Sequence, residues 1–179
     1  DSDSGKQRLM YRSDASGIMK TISNEADATF TGTQIVPDIF LDEPDMAYAT
    51  SNKDGFRKVY KVDLKTMQIV GEPVFGVKGY DIDGVIANET GNALAGVSYT
   101  STKQRTRWFD PRLAEVQKLM DEDFGRGNAQ ILSTNDGDTK ILMRIAKVNA
   151  PGGYYLFDTE TGNLNLVGWA HPVIKDFEL

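Results

Sequence analysis

The chain has 179 residues, 40% of them hydrophobic and 26% charged, a composition typical of a globular protein with a core of its own. Its formal net charge of −6 argues against nucleic acid as a partner, because phosphate binding needs a clustered basic surface. The chain contains no cysteine, which excludes disulfides, Cys-based zinc sites and thiol nucleophiles, and leaves both periplasm and cytoplasm open as locations. No apolar run approaches the ~18 residues of a transmembrane helix, so no membrane span is expected.

The chain begins at Asp1 in polar sequence, and we interpret it as a piece of a longer protein. Two strands are predicted at 7–11 and 18–22, around a polar turn. Four more are predicted at 34–41, 45–50, 57–63 and 67–70. Pro37 lies inside the first of these four, which predicts an edge position or a bulge because proline cannot donate a ladder hydrogen bond. Asp54-Gly55 predicts a hairpin turn.

A second group of strands is predicted at 83–87, 93–99 and 104–109, and a helix follows in place of a fourth strand. Asp110 is a suitable N-cap, and Pro111 suits the first helical position. Apolar residues then recur at helical spacing: Leu113, Val116, Leu119 and Met120. The sequence therefore predicts a helix near 111–122, with Gly125 as its end cap.

A third group is predicted at 129–133, 140–146, 154–158 and 163–167, and Thr161-Gly162 supplies the last turn because glycine adopts positive φ without steric cost. Each group of strands contains one similar short sequence segment that ends in aspartate. These aspartates, Asp63, Asp110 and Asp158, are separated by 47 and 48 residues. A phrase repeated at this period indicates an array of structural units.

This pattern predicts an all-β fold: a partial β-propeller of about three to three and a half four-stranded antiparallel blades, with one helical insertion near 111–122. The alternative is a β-sandwich, which has no reason to repeat a phrase at fixed spacing. We expect blades at 33–71, 79–126 and 127–168. Residues 1–32 would form a partial blade or an N-terminal extension, and 169–179 a tail leading toward a missing domain. Open sheet faces would remain, and we expect them to pair in a homodimer.

Three segments carry a resemblance to a known family: Val59-Tyr60-Lys61-Val62-Asp63, Trp108-Phe109-Asp110-Pro111 with its helix, and Gly153-Tyr154-Tyr155-Leu156-Phe157-Asp158. With Leu164 to Gly168 and His171-Pro172, the chain resembles the propeller domain of the prolyl oligopeptidase family of serine peptidases, in particular its bacterial dipeptidyl aminopeptidase and acylaminoacyl-peptidase-like members. The resemblance implies a parent with a Ser-Asp-His triad on an α/β-hydrolase domain. The propeller of such a parent would gate the access of peptide substrates.

The chain itself lacks this chemistry. It contains no G-x-S-x-G nucleophile elbow, and His171 is its only histidine, so no catalytic residue is predicted and the fragment alone is expected to be inactive. Asp-rich turns at 81–84 and 136–138 lack calcium-loop spacing, so no metal and no cofactor is expected. The alternative function is that of a non-enzymatic propeller serving as a binding or scaffold module.

One basic and aromatic stretch, 103–108, supplies the candidate substrate-binding residues Arg105, Arg107 and Trp108. An arginine projecting from a blade would contact the carboxylate or backbone of a peptide. The alternative is a strand whose arginines pair with acidic neighbours on an acidic protein.

Overall fold

The computed structural model describes residues 10–21, 35–147 and 151–174. The chain divides into two compact units, Asp1–Thr100 and Ser101–Leu179. The strands and the helix follow in chain order: β1 (Met10–Tyr11), β2 (Lys20–Thr21), β3 (Val36–Phe40), β4 (Met46–Ser51), β5 (Lys58–Asp63), β6 (Gln68–Phe75), β7 (Ile82–Ala87), β8 (Leu94–Thr100), β9 (Gln104–Trp108), α1 (Pro111–Phe124), β10 (Ala129–Thr134), β11 (Lys140–Ile145), β12 (Gly153–Asp158) and β13 (Leu164–Trp169).

The described strands form four sheets in which every strand neighbours the next one in sequence. The orders are β1-β2, β3-β4-β5-β6, β7-β8-β9 and β10-β11-β12-β13. We call the last three sheets the first, second and third blade. Successive antiparallel meanders, with a helix after the third strand of the second blade, confirm the predicted all-β class and the partial β-propeller. The exact domain boundaries stay a prediction.

The repeated aspartates mark the same place in each blade, at the end of its third strand. Asp63 Oδ1 accepts hydrogen bonds from the backbone N–H groups of Lys65 (2.8 Å) and Thr66 (3.2 Å). The other two repeat this pattern two and three residues ahead: Asp110 Oδ1 with Arg112 (2.9 Å) and Leu113 (3.0 Å), and Asp158 Oδ1 with Glu160 (3.0 Å) and Thr161 (3.2 Å). A short carboxylate that bonds nearby amides nucleates a turn or a helix start. The sequence repeat is therefore a structural repeat.

Helix α1 begins at one of these repeated aspartates. Asp110 is its N-cap and Pro111 its first residue, as predicted. The helix runs two residues beyond the predicted Glu122, to Phe124, and ends where Gly125 adopts a φ of +88° and donates its N–H to the Asp121 carbonyl at 3.1 Å. Of the four predicted apolar residues, Leu113 and Met120 are buried, Val116 is half-buried and Leu119 is exposed.

Strand β6 is longer than predicted, and strand β3 has both an edge position and a bulge, the two alternatives that were predicted from Pro37. Strand β6 continues to Phe75, whereas the sequence predicted its end at Val70. Gly71, with a φ of +75°, lies in a register shift, where β5 pairs Lys61 with Val70 but Val59 with Phe75. Gly71, the residue after the predicted strand end, is thus a bulge position. The expectation for Pro37 is confirmed, since β3 is an edge strand with a register shift between Pro37 and Ile39.

Both ends of the chain are described in part. Met10–Tyr11 pairs with Lys20–Thr21, inside the first predicted strand pair, whose positions 7–9 and 22 lie outside the described residues. In the tail, Pro172–Ile174 forms a short 3-10 turn, and 175–179 lie outside the described residues.

Strands β7 and β8 of the second blade pack against the first blade inside the first unit. Val59 on β5, Ile82 on β7 and Val97 on β8 form one cluster, and all three have no solvent exposure. The Ile82 N–H donates to the Arg57 carbonyl at 3.2 Å, which joins the start of β7 to the chain entering β5. The opposite face of the first blade carries a second cluster: Ala47, Ala49, Val62 and Leu64, with Tyr11 against it. The first blade therefore has a buried cluster on each face.

The third blade is covered less completely. Ile141 and Met143 are fully buried and Phe157 nearly so, on one face of the sheet. On the other face Leu142 pairs with Leu156, and both Tyr154 and Leu156 are 37% exposed. We call Leu142, Tyr154 and Leu156 the open face. When Asp158 is aligned with Asp63, Tyr154 corresponds to Val59, the residue that the next blade covers in the first unit.

Candidate functional site

The predicted substrate-binding residues lie on β9, and the structure gives each a different environment. Arg105 is half-buried, and its Nε is buried without a hydrogen-bond partner among the described residues. Arg107 is exposed, with its guanidinium 5.9 Å from the centre of the Phe109 ring. Trp108 is only 6% exposed, so its ring is a core group rather than a surface platform. A role for these three in substrate binding stays a prediction.

Arg105 stands beside a cavity of about 370 Å³ in the second unit. Three cationic side chains line this cavity, those of Lys103, Arg144 and Lys147. Its other lining residues are neutral: Gln104, Gly127, Asn128, Gln130 and Ala146. No carboxylate lines it, although the chain as a whole has a net charge of −6. We call it the basic cavity, and it is the strongest candidate for a binding site.

Gly127, which has no side chain, forms the part of the cavity wall that lies next to Arg105. Gly127 has a φ of +75°, a conformation that favours glycine, and a Cβ there would lie 3.9 Å from Arg105 Nε. Lys103 Nζ donates to Asn128 Oδ1, and Asn128 Nδ2 in turn donates to the Phe124 carbonyl at 2.9 Å. These bonds tie the cationic wall to the end of α1.

Arg144 and Lys147 come from a different part of the sequence and were not predicted as site residues. Arg144 pairs across the sheet with Gln130 of β10, whose amide lies 3.4 Å from the Gln104 carbonyl at the start of β9. Register thus brings β11 close to the predicted basic stretch. The sequence contained one signal: Arg144 interrupts the apolar residues of β11, but its approach to Lys103 depends on the tertiary fold.

A second cavity, of about 530 Å³, lies between α1 and the third blade. Its charged residues are mixed in sign, with Arg112 and Lys118 beside Glu115, Glu122 and Asp138. Arg112 Nη2 donates to the Gly137 carbonyl at 2.6 Å, and Lys118 pairs with Glu122 at 3.9 Å. Arg112, Asp138, Lys118 and Glu122 thus have partners within the chain, and the charges are mixed in sign, so this cavity is the weaker candidate.

The largest pKa shifts belong to groups bonded within the fold, at one turn and on two strands. A hydrogen bond from Lys140, followed by those from the turn amides, lowers the pKa of Asp158 to about 2. Burial and the hydrogen bond to Asp45 raise the pKa of Tyr11 to about 12, and burial with the bond to Asp54 does the same for Tyr60. None of these groups lines either cavity, so they do not mark an acid–base site.

Other chemistry is sparse. The described residues contain no group of three His, Asp or Glu side chains that could hold a metal ion. In the described part of the chain, no helix has the length and apolar character needed to cross a membrane. His171 is exposed, after the end of β13.

No family model matches the chain, and no curated protein matches it. Among solved structures, the chain is similar to TolB from Acinetobacter baumannii, with a TM-score of 0.45 and 15% sequence identity. The match covers 94% of this chain and 39% of the TolB chain, so this chain spans well under half of that protein's length. A likeness at this level does not separate one function from another.

Proposed function

We propose that this chain is the non-catalytic propeller portion of a serine peptidase of the prolyl oligopeptidase type. In such a parent the blades would restrict access to a hydrolase site elsewhere in the protein, admitting peptides and excluding folded proteins. Contacts between blade and peptide would help to orient the scissile bond, because binding energy from remote parts of a substrate can be used for positioning.

The observation that carries this proposal is the segment Trp108-Phe109-Asp110-Pro111 with α1 behind it. It is the most specific part of the resemblance to the peptidase family. Asp110 caps α1 through two backbone N–H groups, at 2.9 and 3.0 Å, and Trp108 is buried at the end of β9. Helix α1 follows the third strand of the second blade, at the position where the first and third blades have a fourth strand. A generic Tyr-x-x-Asp hairpin would not distinguish this family from other propellers.

The proposed role is gating and binding rather than bond cleavage. The 179 residues contain no G-x-S-x-G elbow, and one histidine without such a serine cannot form the triad. The test is to treat the purified chain with a fluorophosphonate probe and with short peptide anilides, beside the full-length protein from the same gene. We expect labelling and turnover by the full-length protein alone. A full-length protein that neither labels nor cleaves peptides would refute the peptidase assignment.

The second candidate is a non-enzymatic scaffold module, and the open face favours it. Tyr154 is 37% exposed at the position equivalent to the covered Val59 of the first blade, and Leu156, which corresponds to the half-buried Lys61, is 37% exposed on the same face. A surface of this kind requires a partner, and for the isolated chain we propose a second copy, which forms the simplest symmetric assembly. In the peptidase parent the same face would instead be covered by further chain. Dimerisation of the full-length protein through this face would therefore favour the scaffold.

A further inference from the structure

We propose that the basic cavity is a binding site for an oxyanion, either a carboxylate or a phosphate group. The inference concerns the cavity in the second unit and does not depend on the peptidase parentage. Lys103, Arg144 and Lys147 line the cavity, Arg105 stands at its wall, and its volume of about 370 Å³ is near the lower end of the roughly 300–1,000 Å³ usual for small-ligand sites.

The charge balance of the cavity points to a negative ligand. Several lysines of this acidic chain pair with a carboxylate, as Lys65 does with Asp45 and Lys61 with Glu43. No acidic residue lines the basic cavity, and Arg144 forms neither an ion pair nor a side-chain hydrogen bond with the described residues. Cations held together without counter-charges repel one another, and an anion would relieve that repulsion.

Arg105 supplies an independent observation. Its Nε–H is buried and has no hydrogen-bond partner among the described residues. A buried donor without a partner is unfavourable, and a fourth positive charge next to the lining adds to the repulsion that a bound anion would relieve. A Cβ at Gly127 would lie 3.9 Å from Arg105 Nε, an ordinary contact distance, so Arg105 is a neighbour of the cavity lining rather than part of it.

The hydrogen-bond donors of the basic cavity determine which chemical groups it can bind. Guanidinium groups bind the paired oxygens of carboxylates and phosphates, and the lysine ammonium groups add charge without demanding a fixed geometry. The neutral amides of Gln104, Asn128 and Gln130 can bond the atoms around such a group. A free phosphate, a phosphomonoester and the carboxylate of a peptide share this chemistry.

The test is a titration of the 179-residue chain, observed by amide NMR shifts, at ionic strength held constant with sodium chloride so that screening does not change. One arm uses inorganic phosphate. The other compares an N-acetylated peptide ending in a free carboxylate with the same peptide ending in an amide. We expect saturable shifts around Gly127 and Gln130 with phosphate, with the free-carboxylate peptide or with both, and the responding arm identifies the source. Absence of saturable shifts in both arms would overturn the proposal.

Amino-acid substitutions test whether the anion binds in this cavity. Arg144→Gln and Lys103→Gln should each weaken the anion affinity about tenfold, since each removes a charged donor. Gln130→Glu should abolish binding, because it places a carboxylate next to Arg144. Lys118→Gln is the matched control, because Lys118 lies in the same unit but outside the cavity. Lys103 is exposed, so its variant remains informative even if Arg144→Gln does not fold. Equal weakening by the control and by Lys103→Gln would refute the site.

Discussion

Truncation of Ile82 tests whether the first and second blades pack against each other. Its side chain is fully buried in the cluster with Val59 and Val97. Ile→Ala in such a position removes apolar contacts and leaves a cavity, which costs about 2–5 kcal/mol of unfolding free energy. For a chain of this length, each kcal/mol lowers Tm by about 2–4 °C. Ile18→Ala is the matched control, because Ile18 is 84% exposed and should change stability by less than about 0.5 kcal/mol.

The assay is urea unfolding observed by far-UV circular dichroism. Both tryptophans, Trp108 and Trp169, lie beyond Thr100, so tryptophan fluorescence does not report directly on the first unit. A double-mutant cycle of Ile82→Ala with Val59→Ala should give a coupling of about 0.5–3 kcal/mol, because the two residues share one cluster. Unfolding free energies that add independently, or an Ile82→Ala variant as stable as Ile18→Ala, would refute the packing of the two blades.

Three further predictions follow from the turns and the open face. Asp110→Ala should destabilise the α1 region by about 0.5–2 kcal/mol, observed by tryptophan fluorescence, while Asp110→Asn should cost less because asparagine also caps helices. Lys140 holds the pKa of Asp158 at about 2 against an ordinary 3.8, so ionised Asp158 stabilises the fold above about pH 4 and that stability is lost as pH falls toward 2. Asp158→Asn should flatten this part of the acid-unfolding curve, and an unchanged slope would contradict the assignment. Leu156→Lys should abolish self-association in light scattering whereas Val173→Lys should not, and a monomeric wild-type chain would contradict the dimer.

Local chemistry made much of the fold predictable. Asp63, Asp110 and Asp158 each bond amides two and three residues ahead, so the turn is encoded within four residues and its repetition shows the period of the blades. Asp110 followed by Pro111 likewise defined the start of α1. These features need no distant contact, which is why the sequence alone was sufficient.

Features that depend on pairing were harder to predict. Strand β6 was predicted to end at Val70, and only the register of β5 against β6 shows that the strand continues through a bulge at Gly71. The basic cavity also depends on strand pairing. Arg144 and Lys103 are 41 positions apart in sequence, and the pairing of β11 with β10 brings both to the cavity. The predicted site contained Arg105, at the edge of the cavity, and missed the residues that the fold brings to it.

The parentage of the chain is the central claim, and the coding sequence that follows the codon for Leu179 tests it most directly. The account predicts an α/β-hydrolase domain with a G-x-S-x-G elbow, followed along the chain by an aspartate and a histidine of the triad. A reading frame that continues only into further blades, or stops without a hydrolase domain, would contradict it and favour the scaffold module.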